Sequence, residues 1–281
     1  MSRLPEWLTV RAPKRGAYEE IAGYMKSMGL HTVCQSASCP NIGECFSKHT
    51  ATFMILGDTC TRNCGFCGVR HGEPPPINPN EPSLVADAAA KLGLKYVVVT
   101  SVTRDDLPDG GAAQFAETIR CIRREIPESR VEVLIPDFKG DADSLKSVLD
   151  ANPFVLNHNV ETIPRLYPIA RASADYNRSL ALLETARTLT PSIYTKSGLM
   201  VGLGETFAEV VQTLQDLREA RCDIVTIGQY LRPSRSNIEV VEYIHPSVFE
   251  EYRRVGESLG FRFTASGPFV RSSYHAEEAV I

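Results

Sequence analysis

The sequence predicts an α/β fold built from parallel βα units. Short apolar runs rich in β-branched and aromatic residues recur at 52–56, 96–100, 131–135, 154–157, 194–201 and 224–229. Longer amphipathic segments at 83–92, 112–126, 142–150, 176–189 and 206–220 separate them, and each connection is long enough for a crossover helix. A further helix at 247–259 and an edge strand at 261–264 close the pattern. Six such units make either an open barrel or a doubly wound sheet, and alternation alone does not separate the two.

Each element has a local reason. The run 52–56 is uninterrupted apolar sequence after Thr52, as a strand buried on both faces should be. The stretch 73–82 carries Pro74, Pro75, Pro76, Pro79 and Pro82 and reads as a non-helical spacer before the first helix. Polar or glycine-rich stretches then follow the strand candidates at 57–59, 101–111, 158–162, 202–205 and 230–234. In βα folds such strand-end loops converge on one face, where active sites form.

Composition bounds the rest. A chain of 281 residues with 43% hydrophobic and 23% charged residues has material for a sizeable core, and one catalytic domain with terminal extensions is expected. Thirty basic against 34 acidic residues, net charge −4, give no general attraction for nucleic acid. The segment Met1–Trp7 lacks the apolar core of a signal peptide, and no stretch reaches the roughly 18 apolar residues of a membrane span. The expectation is a cytoplasmic protein with neither nucleic-acid nor membrane partners.

Six of the eight cysteines fall between positions 34 and 67, in two unlike triplets. Cys34, Cys39 and Cys45 are spaced C-x4-C-x5-C; Cys60, Cys64 and Cys67 are spaced C-x3-C-x2-C on a loop leaving the first strand. In a reducing compartment clustered cysteines are metal ligands or catalytic groups more often than disulfides. A cubane iron–sulfur cluster has four irons to ligate, so three thiolates leave one open for a small molecule, much as a catalytic zinc keeps a position free. A zinc site completed by His71 competes for the second triplet, and zinc or an electron-transfer cluster for the first. Cys121 and Cys222 stand alone and read as inert core residues.

The loop from Cys60 to Cys67, with Phe66 before its last cysteine, resembles the radical S-adenosylmethionine (SAM) superfamily. The first triplet narrows the resemblance to the lipoyl synthase family. It extends through 100–111, 157–162, 196–205 and the Arg271-Ser272-Ser273-Tyr274-His275-Ala276 segment, covering about 4–276.

This resemblance implies a partial (β/α)6 TIM-like barrel of the radical SAM type over 51–265, an N-terminal extension 1–50 and a C-terminal tail 266–281. It implies that Cys60, Cys64 and Cys67 hold a 4Fe-4S cluster whose open iron chelates SAM. An auxiliary 4Fe-4S cluster falls to Cys34, Cys39, Cys45 and Ser273, with Ser272 as the alternative serine. A serine alkoxide is a harder and less usual iron ligand than a thiolate, which suits a cluster that surrenders its sulfide.

The implied reaction cleaves SAM to a 5′-deoxyadenosyl radical and inserts two sulfur atoms, at C6 and C8 of an octanoyl-lysine. Breaking unactivated C–H bonds lies beyond side-chain acids and bases, so a radical cofactor carries the chemistry. Implied partners are an octanoylated lipoyl carrier domain or glycine-cleavage H protein, a low-potential electron donor and a cluster-carrier protein for repair. By the same resemblance, 202–205 is a loop beside SAM, since it lacks a nucleotide fingerprint and a P-loop lysine, and 104–111 is an active-site loop. Arg171, Arg178, Arg232 and Arg235 are candidates to face anionic groups. Sulfur insertion into a small molecule, as in biotin synthase, is the competing enzyme reading; the first triplet and Ser273 weigh against it. A two-cluster electron carrier is the non-catalytic one, and would need neither an open iron nor a large βα scaffold.

Overall fold

The computed structural model describes residues 4–9, 15–37, 39–47, 52–273 and 276–277. Seven strands lie side by side in chain order: β1 (Thr52–Ile55), β2 (Tyr96–Ser101), β3 (Arg130–Leu134), β4 (Val155–Asn157), β5 (Tyr194–Val201), β6 (Ile224–Gln229) and β7 (Phe263–Gly267). Every neighbouring pair is parallel. A doubly wound sheet reverses its strand order at a switch point, and this sheet never does. Right-handed crossovers advancing in one direction put all their helices on one face, so the other face is buried by curling the sheet into a barrel.

The barrel is open. A short strand, His31–Thr32, pairs antiparallel with β1, opposing His31 to Met54 and Thr32 to Phe53. β7 pairs only with β6, so no ladder joins the two edges among the described residues.

The connecting helices are α1 (Glu81–Lys91), α2 (Ala112–Glu125), α3 (Ala142–Asp150), α4 (Tyr176–Leu189), α5 (Phe207–Glu219) and α6 (Pro246–Ser258). Their starts are written locally: Asp141 accepts the Ser144 N–H, Asp175 accepts the Arg178 N–H, and Thr206 with Glu209 forms a reciprocal capping box. The spacer is shorter than the sequence suggests, because α1 begins at Glu81 and takes Pro82 into its first turn. Proline is tolerated there, where its missing N–H would have had no partner.

The strand starts are plugged. Val155 and Ile224 pack with Tyr96, Phe154, Tyr194 and Phe263 in a separate apolar cluster at that end of the barrel, leaving the strand ends as the open mouth. Above the plug the Glu132 carboxylate accepts from Tyr96 Oη (2.6 Å), Lys196 Nζ (2.9 Å) and Asn157 Nδ2 (3.2 Å), tying β2, β3, β4 and β5 together. Register places Asn157 directly beside Lys196. The Lys196 and Glu132 side chains are 1% and 0% exposed. Removing one partner of such a pair leaves an uncompensated buried charge, so Lys196→Met is expected to cost about 3–5 kcal/mol in urea unfolding, and Lys196→Met with Glu132→Gln distinctly less than the sum of the single changes.

Candidate active site

The second cysteine triplet sits on a loop fixed at several points. The chain leaves β1 through Leu56 and Gly57, both at positive φ (68° and 90°), and the Glu81 carboxylate accepts the Leu56 N–H at 2.8 Å. Thr59–Cys60 pairs with Arg70–His71, bracketing the loop. Thr61 donates its N–H (3.0 Å) and its hydroxyl (2.9 Å) to the Thr103 carbonyl and accepts the Asp105 N–H. Arg62, between Cys60 and Cys64, grips Asp105 through Nε (2.7 Å) and Nη2 (2.9 Å) and Asp137 through Nη2 (2.7 Å). Arg178 reaches the other Asp137 oxygen at 3.3 Å. Gly65 lies so close to its neighbours that a Cβ would stand 2.8 Å from the Ile169 carbonyl oxygen.

Backbone amides face the thiols, while burial opposes their ionisation until a metal centre supplies the positive charge. Cys60 Sγ accepts the backbone N–H of Arg62 (3.4 Å) and Thr103 (3.3 Å), and Cys67 Sγ that of Val69 (3.5 Å). Hydrogen bonds of this kind to cluster sulfurs tune iron–sulfur centres. None of the three is in a disulfide. Burial pushes Cys67 up to about 12, with Cys64 and Cys60 adding to the rise against the Val69 amide; burial also raises Cys64, against the pull of Arg171. His71, the ligand proposed for a zinc site, has an exposed side chain. Among the described residues no three Cys, His, Asp or Glu groups are gathered around one metal-ion position; a cubane spreads its terminal thiolates wider than a single ion does.

The first triplet adjoins this loop. Thr32 caps the short helix Val33–Ser36 that carries Cys34, the Cys39 N–H donates to the Cys34 carbonyl (3.0 Å), and the Cys45 N–H to the Asn41 carbonyl (2.9 Å). Burial pushes Cys34 up to about 11, with the Thr52 backbone lowering it and Cys39 raising it. A Cβ on Gly68, next to Cys67, would lie 3.6 Å from the Ala37 carbonyl carbon, so the two cysteine segments touch. Ser38, within this triplet, lies outside the described residues.

The C-terminal segment arrives from β7. Asn41 Nδ2 donates to the Phe269 carbonyl at 2.7 Å, and Arg271 stands close enough to Cys39 for each to feel the other's charge. Ser272 Oγ donates to Asn159 Oδ1 at 2.6 Å and accepts from Asn157 Nδ2 at 3.4 Å. Gly228 makes room, since a Cβ there would be 2.1 Å from the Val270 carbonyl oxygen. Ser272 is thus anchored in the barrel mouth, while Ser273 is half-buried with its hydroxyl unengaged among the described residues. Tyr274 and His275 lie outside the described residues.

Two buried polar atoms at the mouth have no partner among the described residues: Asn157 Oδ1 at the end of β4, and Arg171 Nε. Buried polar groups are rarely left so, and an ordered water or a ligand completes them. A polar line also crosses the mouth: Ser272 bonds Asn159, Asn159 Nδ2 donates to Glu161 (3.1 Å), and Glu161, raised by burial against Arg171, shares the Arg171 and Cys64 neighbourhood.

The other expected contacts are mostly internal. Arg171 Nη1 donates to the Asn159 carbonyl, Arg178 pairs with Asp137, Arg232 pairs with Glu239, and Arg235 is exposed. Glu205 accepts the N–H groups of Gly202 and Leu203, bracing its own loop. Cys121 and Cys222 are buried.

Comparison with known proteins places this geometry. The profile of the Radical SAM superfamily matches residues 54–217. Lipoyl synthase of Caldicellulosiruptor saccharolyticus is 57% identical over 99% of this chain and 97% of its own length. The chain belongs to the lipoyl synthase family. Lipoyl synthase of Caldanaerobacter subterraneus is 56% identical over 98% of the chain and 96% of its own length. Among solved structures, methylornithine synthase superposes with a TM-score of 0.53 at 12% identity, over 94% of this chain and 82% of that one. Coproporphyrinogen III oxidase from Escherichia coli, a radical SAM enzyme, gives 0.52 at 16% identity, over 72% and 51%; at such identities these two show the fold alone. As a lipoyl synthase family member the protein is a radical SAM sulfurtransferase that uses SAM and 4Fe-4S clusters.

The Arg62 clamp is absent from a reading of the sequence. Asp137 follows β3 as a polar residue at a strand end, the signal that marks the other mouth loops, but its partner lies 75 positions away. Burial alone would raise Asp137; hydrogen bonding and attraction from Arg62 hold it down at about 2. A depressed carboxyl stabilises the fold above its ordinary value near 3.9, and that stabilisation disappears as pH falls through about 2. Asp137→Asn is therefore expected to remove about 2 kcal/mol of pH-dependent stability, with the difference from wild type shrinking between about pH 4 and pH 2 in urea unfolding across that range.

Proposed function

We propose that Cys60, Cys64 and Cys67 hold the SAM-binding 4Fe-4S cluster and that Cys34, Cys39, Cys45 and Ser273 hold an auxiliary 4Fe-4S cluster that is the sulfur source. The reaction is insertion of two sulfur atoms, at C6 and C8 of a protein-bound octanoyl-lysine. The observation that carries the reading is the meeting of the two cysteine segments and the C-terminal serines at one barrel mouth. Ser272 has already committed its hydroxyl to Asn159, which favours Ser273 as the ligand.

When bound, SAM and its cluster supply the radical that takes hydrogen from unactivated carbon. The chain's own residues hold and shield. Arg62 and Thr61 lock the Cys60–Cys67 loop to the loops after β2 and β3, and the amides of Arg62, Thr103 and Val69 face the thiolates. Asn157 and Arg171 offer their unpartnered polar atoms to bound SAM or substrate. The segment 268–273 is tied to the mouth through Ser272 and Asn159, a position from which it would help keep water from the radical.

The division into an extension 1–50, a barrel 51–265 and a tail 266–281 follows this assignment of labour, except that the last barrel strand runs to Gly267 and the tail starts after it. The substrate is a lipoyl carrier protein. Its finer identity, an octanoylated lipoyl carrier domain or the glycine-cleavage H protein, belongs to the proposal, as do a low-potential electron donor and a cluster-carrier protein for repair. Among the described residues no helix is long and apolar enough to cross a membrane, and a cytoplasmic location belongs to the same reading.

Anaerobic turnover of the reconstituted protein with SAM, a reductant and an octanoyl-lysyl peptide tests the reading. Cys39→Ala and Ser273→Ala are expected to keep forming 5′-deoxyadenosine while losing lipoyl product, and Cys64→Ala to lose both. Wild-type protein that cleaves SAM but adds no sulfur to the peptide would contradict the substrate assignment.

A further inference from the structure

We propose that Arg271 is a positioning residue for the auxiliary cluster: its guanidinium balances the negative charge of a cluster on Cys34, Cys39 and Cys45, and so holds the tail serine in place. This rests on the assignment of an iron–sulfur cluster to those cysteines.

Arg271 is half-buried, and its Nη1 donates only to backbone carbonyls of its own segment, Val270 (2.7 Å) and Pro268 (3.5 Å). Among the described residues no carboxylate pairs with it, whereas Arg62, Arg104 and Arg178 at the same mouth each bind an aspartate. The ionisable group whose charge reaches it is Cys39. The guanidinium is held there on both sides: Phe269 is tied to Asn41, Ser272 to Asn159, and a Cβ on Gly228 would stand 3.2 Å from Nη1.

A cation kept partly out of water without an anion is costly. Three thiolates leave a cubane net anionic, which supplies the missing partner two residues before Ser273. Two consequences follow. The segment 268–273, already tied through Phe269 and Ser272, is held more firmly while the cluster is present, and spending the cluster as sulfur leaves the cation unbalanced and loosens the tail. Reduction adds negative charge to the cluster, so a neighbouring cation raises its reduction potential.

The test uses full-length protein carrying Cys60→Ala, Cys64→Ala and Cys67→Ala, so that only the auxiliary cluster is present. Hydrogen exchange of 268–273 is compared with the cluster loaded and absent, with iron content confirming each state, and the potential is read by EPR-monitored titration. Loading is expected to slow exchange about tenfold or more. Arg271→Gln should shrink that difference to the part that ligation by Ser273 supplies and shift the potential to more negative values, and Arg271→Lys should restore both. Equal exchange with and without a confirmed cluster, or an unchanged potential in Arg271→Gln, overturns the proposal. Failure of this protein to take up any cluster overturns the assignment beneath it, and the proposal with it.

Discussion

The grip of Arg62 on two aspartates is the interaction on which the site depends. Arg62 belongs to the cysteine loop, yet its partners Asp105 and Asp137 follow β2 and β3. One side chain therefore converts a flexible loop into a fixture of the barrel. The cost of burying a guanidinium is offset because three carboxylate oxygens receive it in short, charge-assisted hydrogen bonds. Without that clamp the loop would keep only its neutral hydrogen bonds and the Thr59–Cys60 pairing to hold the three thiols in one arrangement.

An open barrel creates the second constraint. Seven parallel strands in chain order expose one edge at β7 and another at His31–Thr32. The segments that follow the two edge strands meet through Asn41 and Phe269, so they complete what the sheet does not close. That places the first cysteine triplet beside the C-terminal serines although more than two hundred positions separate Asn41 from Phe269. Gly228 lets the tail backbone at Val270 lie against the strand end, and Gly198 leaves room for the Ser272 hydroxyl, approaches that side chains would block.

Much of this was legible in the sequence. The strands at 194–201 and 224–229 and the helices at 142–150 and 176–189 coincide with the structure, because apolar periodicity and caps agree there. The start of α1 was misread because Pro82 is a stop signal in mid-helix but acceptable in a first turn. Sequence alternation could not choose between barrel and doubly wound sheet, since both use the same local units; strand order decides it. Pairings such as Glu132 with Lys196, 64 positions apart, and Ser272 with Asn159, 113 apart, depend on register and tail docking that no local pattern encodes. The choice between adjacent serines is of the same kind, because it turns on which hydroxyl the barrel has already engaged.

The central claim is that each cysteine triplet binds its own four-iron cluster. Iron and sulfide quantification with Mössbauer spectroscopy of anaerobically loaded protein tests it most directly, in wild type and in variants with either Cys34/Cys39/Cys45 or Cys60/Cys64/Cys67 changed to alanine. The account requires about half the wild-type iron in each variant, still as cubane cluster, and full retention of SAM-dependent spectral change only where Cys60, Cys64 and Cys67 remain. Loss of all cluster on removal of one triplet, or no loss on removal of either, would contradict it.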